Sequence, residues 1–244
     1  AGRVARTVPR RRSARMRVRV AVQRDLPART RVEALRREVP EALPARHRYL
    51  SLHQARLRNR KQVKAWYGWS APRNLELHEH AQIAVPLLAN GGLFALLPER
   101  LQGRLCPMAS GGFTVTVPAD CPVRPEYVLG LLNSKLLVWN LRQVSNVFRG
   151  GWITCTKQYF GALPIRIVEV SDASEKRVHD EIVILVEQML ELHRQLAACR
   201  GESDKPSVER LIAATDAEID RLVYELYGLT DAEIAILEGA ARPS

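Results

Sequence analysis

LLNSKLLVWNLRQVSNVFRGGWITCTKQYFGALPI, residues 131–165, reads as a helix, a basic turn with two glycines, a short strand and a closing Leu-Pro-Ile. Pro125 suits a first helical position, and Val128, Leu131, Leu132, Leu136 and Trp139 recur at three- and four-residue spacing, which predicts one buried face. Lys135 falls in the middle of that face. Within the next eighteen residues come Arg142, Gln143, Ser145, Asn146, Arg149, Gly150, Gly151, Thr154, Thr156, Lys157, Gln158 and Tyr159. These side chains can hold phosphates and read base edges. The ordinary alternative is a helix followed by a polar loop.

Upstream, residues 81–118 turn to a β pattern. Ile83, Val85 and Leu87 alternate, 93–97 is a short apolar run, and Phe113, Val115 and Val117 alternate again, with glycine pairs at 91–92 and 111–112 as turns. Before them, residues 28–64 suggest two helices separated by Pro40 and Pro44. The second, from about Pro44 to Lys64, carries Arg46, Arg48, Arg56, Arg58, Arg60, Lys61 and Lys64, a charge density suited to a phosphate backbone or to a solvated face. Trp66, Tyr67 and Trp69 then precede Arg73 and Asn74, whose side chains match guanine and adenine bidentately in the major groove.

Downstream, Val178, Ile182, Leu185, Met189, Leu192 and Leu196 form a heptad seam that ends at Gly201. A second helix, after Pro206, carries Leu211, Ile219, Leu222, Val223 and Leu226 and stops at Gly228. Thr230 and Glu233 predict a capping box for a last short helix.

The net charge of +11 is unevenly spread. Residues 1–60 carry 18 Lys and Arg against 4 Asp and Glu, residues 61–170 carry 11 against 6, and residues 171–244 carry 8 against 16. A polyanion would therefore meet the first two parts only. Residues 1–24, which lack any acid, fit a basic arm, a transit peptide or the remnant of a preceding domain. Cys106, Cys121, Cys155 and Cys199 are scattered, which favours a reducing compartment without a structural disulfide, and His78 and His80 lack cysteine partners at zinc-ligand spacing. No run approaches the ~20 apolar residues of a membrane span.

The order and spacing of three blocks resemble the TaqI-like specificity domain found at the C-terminus of adenine-specific DNA methyltransferases and of fused type IIG restriction-modification enzymes. The first block is Leu131-Leu132-Asn133-Ser134-Lys135-Leu136-Leu137, then Phe148-Arg149-Gly150-Gly151, then Lys157-Gln158-Tyr159 leading to Leu163-Pro164-Ile165. The second is RNRKQVKAWYGWSAPRNLE, residues 58–76, and the third TDAEIDRLVYELYGLTDAEI, residues 215–234. Together they span roughly residues 45 to 238. The chain departs from the group at Gln82 and Leu87, where a Lys and an Asp are usual.

The resemblance implies double-stranded DNA as ligand and a methyltransferase, with or without a nuclease, as partner domain or subunit. That partner would hold S-adenosylmethionine, since this chain has no Asn-Pro-Pro-Tyr type motif and no Pro-Pro pair. None of its six lysines follows a Glu at the two-residue spacing common in metal-dependent DNA cleavage. We therefore expect no catalytic, cofactor or metal residues in this chain.

The expected fold is α+β: a mixed, β-rich specificity domain with a central helix, followed by a C-terminal helical hairpin with heptad character. The expected organisation is an arm or remnant at 1–43, a DNA target-recognition domain at 44–170 and a helical segment at 171–244. The expected DNA-binding residues are Arg58, Lys61, Lys64, Arg73, Asn74, Lys135, Arg142, Asn146, Arg149, Lys157 and Gln158. Lys135 has other outlets, a buried carboxylate or snorkelling to solvent. Prokaryotic cytoplasm is the expected location. Helix-mediated self-association is possible through the seam, and a coiled-coil scaffold with nonspecific nucleic-acid binding is the competing function.

Overall fold

The computed structural model describes residues 44–61, 65–68, 80–90, 94–101, 112–169, 171–199, 201 and 204–239. It divides into two compact units, one holding the described residues up to 68 and the other those from 80 onward.

In the first unit, the basic stretch forms two short helices, α1 (Pro44–Ser51) and α2 (Gln54–Arg58), in place of the single helix to Lys64 expected from the sequence. The break falls at Leu52 and His53, whose N–H groups donate back to Tyr49 O and Leu50 O. Neither helix buries a residue. Order comes instead from Arg60, whose guanidinium donates to the carbonyls of Leu57, Trp66 and Gly68, and from the rings of Trp66 and Tyr67 packed on His47 at 5.4 and 5.6 Å.

The second unit is α+β, with helices predominating among its described residues. Strand β1 (Ile83–Pro86) continues through Leu87 into β2 (Leu88–Ala89); β3 (Ala95–Leu96) and β4 (Gly112–Val115) flank β1 antiparallel, with Ile83 opposite both Leu96 and Val115. The expected alternation holds at Ile83 and Val85, which are buried while Ala84 and Pro86 are half-buried, and weakens at Leu87, itself half-buried.

Helix α3 (Pro125–Asn133) begins at Pro125 as the sequence predicts and lies in the middle of the unit. Its residues from Tyr127 to Leu132 are all buried, the signature of a helix enclosed on every side. The long helix α6 (Ala173–Ala198) and α7 (Lys205–Tyr227) pack together, and α3 packs on α6. Gly130 marks the crossing: a Cβ there would lie 2.9 Å from Ile182 Cγ2 and 3.0 Å from Val186 Cγ2. The heptad seam is therefore largely used within the chain. Val178, Ile182 and Leu192 are buried, joined by Val183 and Val186, and Leu185, Met189 and Leu196 are half-buried. Residues from 171 onward thus share one hydrophobic core with the sheets. Tyr127 ties the layers, donating to Arg166 O at 2.9 Å and packing on buried His179, whose Nε2 accepts from Arg124 N–H.

One helical period from Pro125 to Trp139 does not survive. The helix ends at Asn133 and a new one, α4 (Lys135–Val144), starts from Ser134, whose hydroxyl accepts from Leu137 N–H. The restart turns Leu137 and Leu141 inward in place of Leu136 and Trp139, which are half-buried and exposed. The break is held from outside. Asn133 accepts from Phe94 N–H and donates to Phe94 O, both at 3.0 Å, pairing with β3's approach as a strand would. Asn133→Ala is expected to lose about 2 kcal/mol in urea unfolding, two hydrogen bonds at about 1 kcal/mol each.

The last two helices described stop and start as expected: α7 stops at Gly228, and Thr230 and Glu233 form the capping box of α8 (Asp231–Leu237).

Candidate nucleic-acid interface

The polar run after α4 is a hairpin built from its backbone upward. Thr154 N–H donates to Asn146 O, Val147 bridges Ile153, Phe148 N–H donates to Trp152 O at 2.7 Å, and Gly151 N–H closes a turn on Phe148 O at 3.1 Å. Gly150 and Gly151 take φ of 83° and 79°, which explains why two adjacent glycines stand at the tip. The returning strand β5 (Ile153–Thr154) pairs with β2, Leu88 opposite Thr154 and Ala89 opposite Ile153. Asn90 Nδ2 donates to Gly150 O at 3.3 Å, so the tip is tied to β2. Ile153, Cys155 and Ala89 seal the inner face. Burial pushes the Cys155 thiol up to about 11, leaving it a core residue without thiolate character at neutral pH. Helix α5 (Lys157–Phe160) follows, and Phe160 packs edge-on against Phe94 and Phe113 at 5.3 and 5.2 Å, fixing the hairpin base to the three-stranded sheet.

Outward from this frame stand Arg142, Gln143, Asn146, Arg149, Lys157 and Gln158, all exposed. Arg142, Arg149 and Lys157 form no ion pair among the described residues. The cause is visible in the sequence: there is no Asp or Glu from Tyr127 to Val168, nor from Ala81 to Pro98, the two stretches that build this surface. Exposed apolar side chains occur in the same elements. Val144, Val147, Phe148 and Trp152 are 46%, 58%, 54% and 43% exposed, with Trp139 on α4 and Leu88 on β2 also exposed. Periodicity assigned Trp139 to a buried face and did not single out the others; the acid-free stretch was the signal available.

The other expected residues fall elsewhere. Arg58 and Lys61 are exposed in the first unit, and Lys64, Arg73 and Asn74 lie outside the described residues. Gln82 spends its side chain on Val117 N–H at 2.6 Å, and Leu87 O receives Cys155 N–H.

Lys135 takes the carboxylate outlet. Its ammonium lies 2.9 Å from Glu238 and 3.4 Å from Asp220, while its backbone N–H donates to Asp220 Oδ1 at 2.8 Å. Tyr224 also donates to Glu238, so these groups join α4, α7 and the end of α8. The hydrogen bond from Lys135 holds the Glu238 carboxyl below its ordinary range, whereas burial pushes Asp220 above its own. The signs are opposite. Glu238 stabilises the fold above the ordinary carboxylate range and ceases to do so as pH falls through its lowered value. Asp220 stabilises it most at low pH, and that contribution declines as pH rises through its raised value. At neutral pH, Asp220→Asn is expected to change stability by less than about 1 kcal/mol, since the amide oxygen still caps Lys135 N–H. Asp220→Ala is expected to cost about 1–2 kcal/mol through the lost cap. Chemical denaturation of both variants checks the pair.

Among the described residues no His, Cys, Asp or Glu side chains converge as metal ligands, and no helix is long and apolar enough to cross a membrane. No protein-family model matches the chain. The type II restriction enzyme and methyltransferase RM.Eco57I of Escherichia coli is 24% identical over 176 residues, 70% of this chain. The chain spans 17% of that relative's length, and is similar to a restriction-modification protein over most of its own.

Proposed function

We propose that this chain is the DNA target-recognition part of a restriction-modification enzyme of the adenine-methylating kind. Its work would be done with a methyltransferase, with or without a nuclease, that carries the S-adenosylmethionine site. The observation that supports the reading most is the hairpin surface: cations without carboxylate partners, mixed with amide side chains, on a backbone closed by its own hydrogen bonds. Arg142, Arg149 and Lys157 neutralise phosphates and set the register on the duplex. Asn146 and Gln158, with Gln143 next to Arg142, are of the types that read adenine bidentately, and either arginine can read guanine. Arg58, Lys61, Lys64, Arg73 and Asn74 supply further contacts from the preceding part of the chain. The acidic helices α6 to α8 repel phosphates and stay off the duplex. The partner and ligand belong to the prokaryotic cytoplasm.

Selection from random duplexes with the purified chain, followed by sequencing at two salt concentrations, tests this. Enrichment of one short motif containing an adenine is expected. Binding with no enriched motif, lost steeply as salt rises, would leave only an electrostatic anchor.

A further inference from the structure

We infer that Phe148 forms an apolar wedge that enters the base stack of the bound duplex and separates one base step. The inference rests on the proposed DNA-recognition role and adds how the hairpin tip engages the duplex. Phe148 is more than half exposed beside the turn, and Trp152, which faces it across the hairpin, is exposed too; both alternate with the residues of the face sealed by Ile153, Cys155 and Ala89. Phe148 is not a spare core residue, because the core on the other face of the hairpin is filled. Its exposure is held in place by the Phe148–Trp152 and Gly151–Phe148 hydrogen bonds and by the Asn90 tether to Gly150. A tip so fixed loses little freedom on insertion.

Charge selects the occupant. Arg149 follows Phe148 directly, Arg142 stands at the end of α4 and Lys157 opens α5, in a stretch without a single carboxylate from 127 to 168. An apolar protein patch would have no use for three exposed cations, without ion-pair partners among the described residues, in the same stretch of chain. A duplex does, because phosphates flank every base step while the step itself is apolar. Proteins that wedge Phe, Leu or Ile between base pairs offset the lost stacking with contacts of this kind. Pyrimidine–purine steps, which unstack most readily, are the expected insertion point.

The test uses the full chain and a duplex recovered by the selection above, with 2-aminopurine replacing adenine at successive positions. On binding, 2-aminopurine fluorescence is expected to rise severalfold at one step and to stay flat elsewhere. Phe148→Ala should abolish the rise and weaken binding about tenfold, the scale of one lost base-stacking contact, without changing the salt slope. Phe148→Trp should restore both, which also shows that the hairpin tolerates substitution there. Binding with flat fluorescence at every position would overturn the wedge and leave DNA recognition standing. So would a rise that persists in Phe148→Ala, or a Phe148→Ala variant that binds as tightly as the parent. Absence of any duplex binding would overturn both.

Discussion

Replacing Arg142, Arg149 and Lys157 together by Gln is expected to weaken duplex binding about 10²- to 10³-fold at ~0.1 M salt, and to leave the fold unchanged. The three side chains are exposed and form no ion pair or side-chain hydrogen bond among the described residues, so their replacement breaks none. Each neutralised phosphate releases counterions worth about 0.9 in the slope of log affinity against log salt, so the slope should become shallower by about 2.7. Fluorescence-anisotropy titrations across a salt series measure both quantities. An unchanged slope would mean that the hairpin cations do not meet phosphates, and would move the electrostatic contacts to Arg58, Lys61 and their neighbours.

The second large effect concerns the scaffold behind the hairpin. Gly130→Val is expected to destabilise the chain by about 3 kcal/mol, or about 6–12 °C in Tm. Even a lone Cβ at this position meets two buried branched side chains, Ile182 at 2.9 Å and Val186 at 3.0 Å, and valine adds two further methyl groups to the same space. Leaving glycine improves helix propensity by only a few tenths of a kcal/mol, which does not offset the crowding. Thermal unfolding by circular dichroism checks it; an unchanged Tm would mean that α3 and α6 separate at little cost. The crossing matters for function because α3 leads through Ser134 into α4, which carries Arg142 and delivers the hairpin.

Local chemistry was legible wherever neighbours in sequence decide the structure. Pro125 opening α3, the alternation of Ile83 and Val85, the paired glycines of the hairpin turn, the stop at Gly228 and the Thr230–Glu233 capping box all follow from residues within a few positions of one another. What escaped the sequence reading depends on distant partners. The apolar period runs unbroken across residues 128–139, yet the helix breaks at Ser134 because Phe94 holds Asn133 and Asp220 caps Lys135. Those contacts join residues 39 and 85 positions apart. The same distance hid the role of Lys135, whose two carboxylates lie on α7 and just beyond α8. A heptad seam likewise states that one face needs cover without stating what covers it; α3 and α7 largely provide it here.

The Leu-Asn-Ser-Lys run therefore reads better as a joint than as a contact surface. Asn133 fixes the approach to β3, Ser134 restarts the helix and Lys135 receives the end of α8, and together they aim α4 and the hairpin that follows. The candidate interface itself was legible in its polar residues. Its apolar half was not, because exposed Phe148 and Trp152 look the same in sequence as buried ones.

Site-directed photo-crosslinking measures the central claim most directly. A photoreactive amino acid replacing Val147 at the hairpin tip, or Leu211 on α7, is activated with the chain bound to a selected duplex. Both positions are exposed, 58% and 51%, so either accepts the probe without disturbing the core. Crosslinking to DNA from position 147 and not from 211 is the predicted result. Crosslinking from 211 with none from 147 would contradict it, and would put the duplex on the helical face that carries the acids.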